Sequence, residues 1–186
     1  MHVEVTKKFF TVDEYYRMGE AGIFDDTRVE FIEGEIIEMS PIGTRHVACV
    51  DRANALFSKS LADRAIVSVQ SSLQLTNYTE PQPDLVILKP RADFYASKKH
   101  SPEDTFLVIE VSDTSLRYDR NRKAPLYARS GVPEVWIENL KDNVILVLRD
   151  PGPATYSTIL TFKRNESLSL LAFPEINFKV DYLLGL

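Results

Sequence analysis

The sequence predicts a domain of mixed α/β class, or α+β, in which helices flank one central β-sheet. Residues 44–62 carry apolar side chains at the spacing of a helix. Residues 84–88 and 106–111 are short and almost entirely apolar, as is usual for central strands covered on both faces. A helical pattern at 119–130 then leads into a further strand at 134–138. Helix and strand therefore alternate along much of the chain.

Length and composition are those of one globular domain, which we expect to span residues 1–186. The chain has no internal repeat or linker, and 44% hydrophobic with 26% charged residues is ordinary for such a domain. We expect no membrane association and a cytoplasmic location, because neither a long apolar run nor a secretory signal is visible. Cys49 is the only cysteine, which excludes an internal disulfide and a Cys-rich zinc site. A net charge of −5 argues against a protein that coats nucleic acid non-specifically.

The N-terminal third predicts a helix followed by a hairpin. Thr11 and Glu14 have the spacing of a capping box, which opens a short helix through Met18. Residues 29–33 and 35–39 are short strands on either side of a glycine, and this pattern predicts a β-hairpin.

Further strands surround the two apolar runs. Residues 65–75 alternate apolar and polar side chains with a period of two, which predicts a half-buried strand, and residues 89–104 are polar enough for a surface loop. Residues 144–148 and 156–162 predict a terminal antiparallel pair, and residues 180–184 a last turn of helix. The predicted fold therefore includes antiparallel hairpins beside the central sheet.

Most common catalytic signatures are absent from the sequence. It contains no Gly-x-Ser-x-Gly elbow, no phosphate-binding glycine loop and no His-Glu-x-x-His motif. Its three histidines do not pair at the spacing of metal ligands. These absences argue against serine hydrolases, nucleotide-binding folds of these kinds and histidine-rich zinc sites.

Two carboxylates occupy positions that hydrophobic burial alone would not favour. Glu110 lies inside the apolar run 106–111, where an unpaired charge is costly, and Asp84 opens the run 84–88 directly after Pro83. If the two runs are adjacent strands, their carboxylates meet at one end of the sheet and repel each other unless a cation lies between them. Mg²⁺ suits such a pair, since it takes one or two protein carboxylates and completes its shell with water and phosphate; Mn²⁺ is the alternative.

This arrangement resembles the PD-(D/E)xK nuclease motif and, more closely, the Uma2 (DUF820) family of restriction-endonuclease-like proteins. The similar segments span residues 11–148 and include 30–41, His46, 83–84, 108–112, 118–119, Lys123 and 127–137. The resemblance implies a restriction-endonuclease-like fold, with a central mixed β-sheet flanked by helices. It also implies Mg²⁺-dependent hydrolysis of DNA phosphodiester bonds, with Asp84 and Glu110 as metal ligands.

The sequence departs from the general nuclease motif at Ser112, where the motif has a lysine. The chemistry still needs a cation beside the scissile phosphate, and the resemblance implies that Lys123 supplies it. Asp119, four residues earlier, could hold Lys123 in place; a solvated Asp–Lys pair of little consequence is the alternative. Pro125 belongs near a helix start, so a kink there would redirect Lys123.

The remaining candidates are auxiliary. Glu30 and Glu33 compete as a further acid near the metal, and the resemblance favours Glu30, although an exposed strand glutamate is the alternative. We also expect four residues to contact substrate: His46 at the start of the long helix, Gln70, Ser112 and Arg122. Solvated side chains would explain several of these positions equally well. The rings of Tyr127 and Trp136 are expected in the core rather than as stacking platforms for bases.

The leading hypothesis is thus a metal-dependent endonuclease that acts on DNA, with a homodimer expected because compact nucleases that cut both strands commonly pair. The main alternative is a catalytically inactive nuclease-fold module that binds nucleic acid or a protein partner. The acidic net charge and the missing motif lysine favour this alternative. A metal-dependent hydrolase of a small phosphorylated substrate is a third hypothesis.

Overall fold

The structure is a computed structural model that describes residues 6–186. This part of the chain contains five α-helices, with the bounds α1 Val12–Glu20, α2 Thr44–Leu61, α3 Leu116–Tyr118, α4 Ala124–Arg129 and α5 Val180–Leu184. A π-helical turn, Asp119–Lys123, joins α3 to α4. The strands are β1 Val29–Ile32, β2 Glu35–Glu38, β3 Ile66–Val69, β4 Leu85–Leu88, β5 Thr105–Ser112, β6 Glu134–Asn139, β7 Val144–Pro151, β8 Tyr156–Phe162, β9 Ser167–Leu170 and β10 Phe173–Lys179. Two 3₁₀ turns, 62–64 and 102–104, complete the regular structure.

Six strands form one central mixed sheet in the order β3-β4-β5-β6-β7-β8. β5 and β6 are parallel, and all other neighbours in this sheet are antiparallel. The parallel pair is connected through α3, the π-helical turn and α4, because parallel neighbours need a long crossover. The β1–β2 and β9–β10 pairs are separate antiparallel hairpins.

Apolar side chains cover both faces of the central sheet. On one face, Phe57 of α2 packs with Trp136 and Phe178, and the cluster also includes residues of α5. On the other face, Tyr127 of α4 and Tyr156 of β8 lie in a second cluster. The central strand β4 is consequently buried along its whole length, as its continuous apolar sequence predicts. Among the described residues, no helix combines the length and the apolar character needed to cross a bilayer.

The predicted fold class is confirmed, as are most of its elements. The capping box forms around Thr11, and α1 continues two residues past Met18. The hairpin turns through Glu33 and Gly34, both with positive φ, and two-residue turns of this kind match the twist of paired strands. The C-terminal helix and the β7–β8 pair lie where the sequence predicts them.

Two predictions of local structure were wrong, and one element was missed. The strand expected at 65–75 ends at Val69, because Gln70 has a positive φ of 47° and the following backbone bonds to loop residues instead of a neighbouring strand. The helix expected at 119–130 begins at Leu116 and is interrupted by the π-helical turn. The β9–β10 hairpin was not predicted at all.

Candidate active site

Strand register brings Asp84 and Glu110 together at one end of the central sheet. β4 and β5 are antiparallel, and Leu85 is paired with Ile109. Extending this register by one residue sets Asp84 opposite Glu110, so the first residue before one strand meets an interior residue of the other. Both side chains are buried. Two acidic residues 26 positions apart in sequence therefore share one site, as the sequence predicts.

Lys123 lies between two carboxylates in the same site. Its Nζ atom is 2.8 Å from Glu30 Oε1 and 2.9 Å from Glu110 Oε1. Burial alone would lower the pKa of Lys123, but the carboxylates of Glu110 and Glu30 outweigh it and raise this pKa above its ordinary value. The ammonium therefore stays charged, and the two strands that carry the glutamates are linked through it.

Glu110 is further held by a phenol. Tyr127 Oη of α4 donates a hydrogen bond of 2.6 Å to Glu110 Oε1. Burial raises the pKa of Glu110 well above its ordinary value, an effect that the charge of Lys123 opposes and that Asp119 and Asp84 reinforce. Burial likewise raises the pKa of Tyr127, so the phenol remains a donor. This contact fixes the orientation of the Glu110 carboxyl group.

Asp84 is held from two sides. Its Oδ2 atom accepts the backbone N–H of Val111 at 2.8 Å and lies 3.0 Å from Nε2 of His46, in the first turn of α2. The Nδ1 atom of His46 is buried without a hydrogen-bond partner in the described part of the chain. The predicted substrate-binding histidine therefore contacts one of the two predicted metal ligands.

The spacing of Asp119 and Lys123 predicts that Asp119 holds the lysine in place. The structure shows no ion pair between these two side chains. The Oδ2 atom of Asp119 accepts hydrogen bonds from Ser112 Oγ at 2.7 Å and Ser115 Oγ at 2.5 Å. Asp119 is itself buried, and this burial raises its pKa. Ser112 is fully buried with its hydroxyl directed at Asp119. The alternative of a solvated Asp119–Lys123 pair is also wrong, since both side chains are buried.

The π-helical turn sets the position of Lys123, which is its last residue. The turn closes with a hydrogen bond from the N–H of Ala124 to the carbonyl of Asp119. Pro125 follows directly, at the start of α4, where its missing N–H is tolerated. Single π-helical turns of this kind are frequent at functional sites. The lysine consequently points into the carboxylate pair instead of away from it.

The other predicted candidates lie around this cluster. Glu33 is in the hairpin turn and pairs with Arg122 at 2.6 Å, so Glu30 and not Glu33 reaches the buried lysine. Gln70 is linked to the site through its backbone: its N–H donates to the Asp84 carbonyl, and its own carbonyl accepts from the side chain of Gln82. Gln70 therefore does not sit on a strand face, contrary to the sequence-based expectation.

The donor set fits a hard divalent cation. Within residues 6–186, the hydrogen bonds and ion pairs of the two acids involve only Asp84 Oδ2 and Glu110 Oε1, which leaves Asp84 Oδ1 and Glu110 Oε2 for a ligand. Glu30 Oε2 is buried in this region without a partner. The same residues contain no group of three or more His, Cys, Asp or Glu side chains able to hold a metal ion. Two carboxylate ligands suit Mg²⁺, which keeps several waters, better than an ion that needs a full protein cage.

Sequence reasoning missed two contributors. Tyr127 was assigned to the core alone, although its hydroxyl group binds Glu110. Glu138 is fully buried in β6, next to Val111, and neither of its carboxylate oxygens has a hydrogen-bond partner in the described chain. The signal that identified Glu110, a charge within an apolar strand, is weaker at Glu138, which ends the predicted strand 134–138 and is followed by Asn139.

Comparison with known proteins points to nucleases. A family model described as "Uma2: Putative restriction endonuclease" matches residues 12–181. No curated protein sequence matches the chain. Among solved structures, a "putative nuclease belonging to DUF820" from Anabaena variabilis ATCC 29413 superposes with a TM-score of 0.74 at 14% identity, over 95% of this chain and 98% of the other. At that identity, the likeness concerns the fold.

A second solved structure is the type IIG restriction endonuclease BpuSI. It matches with a TM-score of 0.42 and 18% identity, over 79% of this chain but only 16% of that protein. Because this superposition is weak, it contributes nothing to the assignment of the chain to a family. The family match over most of the chain is the finding on which the assignment depends.

Proposed function

The chain belongs to the Uma2 family of restriction-endonuclease-like proteins, and from this premise we propose that it is a Mg²⁺-dependent endonuclease that hydrolyses phosphodiester bonds of DNA. The single observation that carries the proposal is the buried cluster in which Lys123 lies between Glu30 and Glu110 while Asp84 adjoins Glu110 at the same sheet end. Such a concentration of charge in a protein interior is costly, and function is the usual reason for it.

In this proposal, Asp84 and Glu110 hold the divalent ion, with Mn²⁺ as the alternative to Mg²⁺. A divalent ion bound there would lower the pKa of a water molecule and offset negative charge on the phosphate. His46 and the N–H of Val111 orient the Asp84 carboxylate, while Tyr127 orients that of Glu110. This fixed orientation spares the site from reorganising during the reaction.

Lys123 supplies the positive charge that the general motif places at the position of Ser112. Its ammonium group has three N–H donors, of which the contacts to Glu30 and Glu110 use two. The third can donate to a phosphate oxygen or to the attacking water. Glu30 acts as a positioning residue, because its carboxylate holds the ammonium at a fixed place beside Glu110.

The test is cleavage of supercoiled plasmid DNA by the purified protein. We expect nicking that needs Mg²⁺ or Mn²⁺ and that falls at least about 100-fold in both Asp84→Asn and Glu110→Gln, the order of loss when a group stabilising the transition state is removed. The exposed Glu175→Gln variant, purified in parallel, is the matched control and excludes a contaminating nuclease. Undiminished nicking by either site variant would end the proposal.

A catalytically inactive binding module is the second candidate. The acidic net charge of −5 favours it, as does the lysine already placed between Glu30 and Glu110. This candidate predicts DNA or protein binding that does not change when divalent ions are added. Metal-dependent cleavage lost in both site variants would reject it.

We further propose that the protein acts as a homodimer. The strand β8 lies at one edge of the central sheet, where β7 is its only neighbouring strand among residues 6–186. Ile159 and Leu160 of this edge strand are exposed. An exposed edge with apolar side chains is a ready template for a second strand, and a second copy of β8 would meet it symmetrically.

A further inference from the structure

A groove of about 1120 Å³ is lined in part by elements that also carry residues of the buried cluster. Its walls come from the segment before α1, the β1–β2 turn, residues 76–79 and the helix α4. We call it the aromatic groove and define it by Lys7, Lys8, Phe9, Tyr78, Arg122 and Arg129. None of these side chains takes part in the carboxylate cluster, so the proposed chemistry leaves the groove without a role.

Two aromatic rings in the aromatic groove are open to solvent. Phe9 and Tyr78 are each 49% exposed. The Nζ atom of Lys7 lies 5.6 Å from the centroid of the Phe9 ring, which combines a cation with an aromatic face. Exposed rings beside cations are the features with which proteins bind single-stranded nucleic acid, because unpaired bases stack on the rings while the backbone meets the cations.

The charges of the aromatic groove are predominantly positive. Its four basic side chains face two acidic ones, Glu33 and Glu35, although the chain as a whole carries −5. Glu33 pairs with Arg122 at 2.6 Å and with Arg129 at 3.2 Å, and Glu35 pairs with Lys7. The fourth cation, Lys8, pairs with Glu14 at 2.9 Å, a residue that does not line the groove. These pairs are partly exposed, so the attraction within each is weak and a phosphate group can replace the carboxylate.

The aromatic groove adjoins the cluster through two shared elements. Arg122 directly precedes Lys123 in the π-helical turn. Glu33 follows the strand β1, which carries Glu30. A nucleic-acid strand held by Arg122 would therefore contact the same π-helical turn that carries Lys123, the lysine that the proposed function places at the scissile phosphate.

We propose that the aromatic groove binds a single-stranded segment of DNA, with bases on Phe9 and Tyr78 and phosphates on Arg122 and Arg129. The inference deepens the proposed function, on which its choice of DNA rests. A base in an intact duplex is stacked and paired, so it cannot lie flat on a ring within the groove. The protein thus prefers DNA that is already unpaired, such as a flap, a gap or a frayed end.

The test measures binding without cleavage. Fluorescence anisotropy of a labelled 12-nucleotide strand, in a buffer with a chelator, is compared with that of the matched duplex. We expect tighter binding of the single strand, weakened about 5- to 100-fold by Phe9→Ala and by Tyr78→Ala, the range typical of one lost stacking contact. Phe94→Ala is the matched control, because Phe94 is 75% exposed and lies outside the groove.

A second variant is expected to strengthen the binding of single-stranded DNA instead of weakening it. Glu33→Gln removes the carboxylate that occupies Arg122 and Arg129. We expect severalfold tighter binding of the single strand, and a steeper dependence on salt as more phosphates are contacted. A role of Glu33 limited to folding would instead weaken binding or leave it unchanged.

The outcomes separate the two proposals. Duplex bound as tightly as the single strand, or affinities unaffected by Phe9→Ala and Tyr78→Ala, would overturn the groove proposal whatever the plasmid assay gives. Single-strand binding with the expected variants, in a protein that cuts no DNA, would support the groove proposal and refute the endonuclease.

Discussion

The ammonium group of Lys123 lies in the protein interior. The free-energy cost of burying this charge is offset because two carboxylates contact it. Glu30 and Glu110 contact it at 2.8 and 2.9 Å. Removing one member of a buried ionic group leaves the others without compensation, which is far more destabilising than the loss of a surface pair. The lysine is therefore both a structural and a proposed functional residue.

Lys123→Met tests this dependence, since methionine has a similar length without a charge. At pH 7 and without divalent ions, we expect the free energy of unfolding to fall by about 3 kcal/mol, because Glu30 and Glu110 then lose their cation. Denaturant titration followed by circular dichroism measures the change. Lys59→Met on the exposed face of α2 is the control and should stay within about 0.5 kcal/mol of the parent protein. Equal effects in the two variants would contradict the account.

The protonation state of Glu138, another buried acid, affects the stability of the folded protein. Burial, with a smaller effect of Asp84, raises the pKa of Glu138 to about 8. Between the ordinary glutamate pKa near 4.5 and this value, the folded protein keeps a proton that the unfolded chain has released. The contribution of protonated Glu138 to the stability of the folded state is therefore fully present below pH 4.5, and it is lost as the pH rises through 8.

Glu138→Gln cannot ionise and should lose this pH dependence. We expect the melting temperature of the variant to rise relative to the parent protein as the pH increases from 5 to 9, because only the parent must bury a charge at high pH. Thermal melts across that range measure the difference, with the exposed Glu20→Gln as control. A difference between variant and parent that stays constant with pH would show that Glu138 does not titrate as described.

At the scale of single residues, the sequence identified Asp84 and Glu110 but not all of the residues that contact them. Asp84 and Glu110 were predictable because charges in apolar strands are costly. The contact of Tyr127 with Glu110 was not predictable, since a tyrosine at an apolar helical position looks like core until the facing strand is known. Asp119 was assigned to Lys123 from spacing alone, and spacing does not reveal that two serine hydroxyl groups satisfy it instead.

At the scale of elements, the β1–β2 hairpin carries Glu30 to the lysine, and its turn depends on Gly34. This residue has φ of +77°, and a Cβ atom there would lie 2.8 Å from Cβ of Phe9. The hairpin is thus packed closely on the segment before α1. Any shift of the turn would move Glu30 relative to Lys123.

Gly34→Ala should accordingly be more harmful than the same change at Gly131. Gly131 also has a positive φ, of +82°, but its added Cβ would meet no atom of the described residues within 4 Å. We expect Gly131→Ala to lose about 1 kcal/mol of stability from backbone strain alone, and Gly34→Ala to lose about 2 kcal/mol or more because a clash is added. Urea unfolding of both variants measures the difference. Comparable losses would mean that the turn is not tightly packed.

Helices and strands could be predicted from the sequence where the residue pattern that specifies them is local. The apolar runs of β4 and β5 and the caps of α1 require no knowledge of their neighbours. The strand at 65–75 was overextended because alternation continues past Gln70, where a positive φ turns the backbone away. The π-helical turn has no recognisable sequence signal, since it depends on the packing of Lys123 against β1 and β5.

At the scale of the whole molecule, the proposed homodimer depends on the β8 edge of the central sheet. The edge strand β8 exposes Ile159 and Leu160. Lysine on an exposed strand edge is a common natural device against pairing. Ile159→Lys should therefore disrupt a dimer built on this edge without disturbing the fold.

Size-exclusion chromatography with light scattering tests this assembly. We expect the parent protein at twice the chain mass of 21.2 kDa and Ile159→Lys at the chain mass. Leu171→Lys, at an exposed residue between β9 and β10, is the control and should remain dimeric. A monomeric parent protein would contradict the proposed dimer, and a dimeric Ile159→Lys would contradict the proposed interface.

The most direct test of the central claim is calorimetric titration of Mn²⁺ or Mg²⁺ into the protein without DNA. Since Asp84 and Glu110 are proposed to share one divalent ion, we expect one site with a dissociation constant in the millimolar range or tighter. Binding should weaken at least about tenfold in both Asp84→Asn and Glu110→Gln, as when groups that support a metal ion are lost. Glu175→Gln should bind the ion like the parent protein. No measurable binding by the parent protein, or equal binding by both site variants, would contradict the claim that these two carboxylates form a metal site.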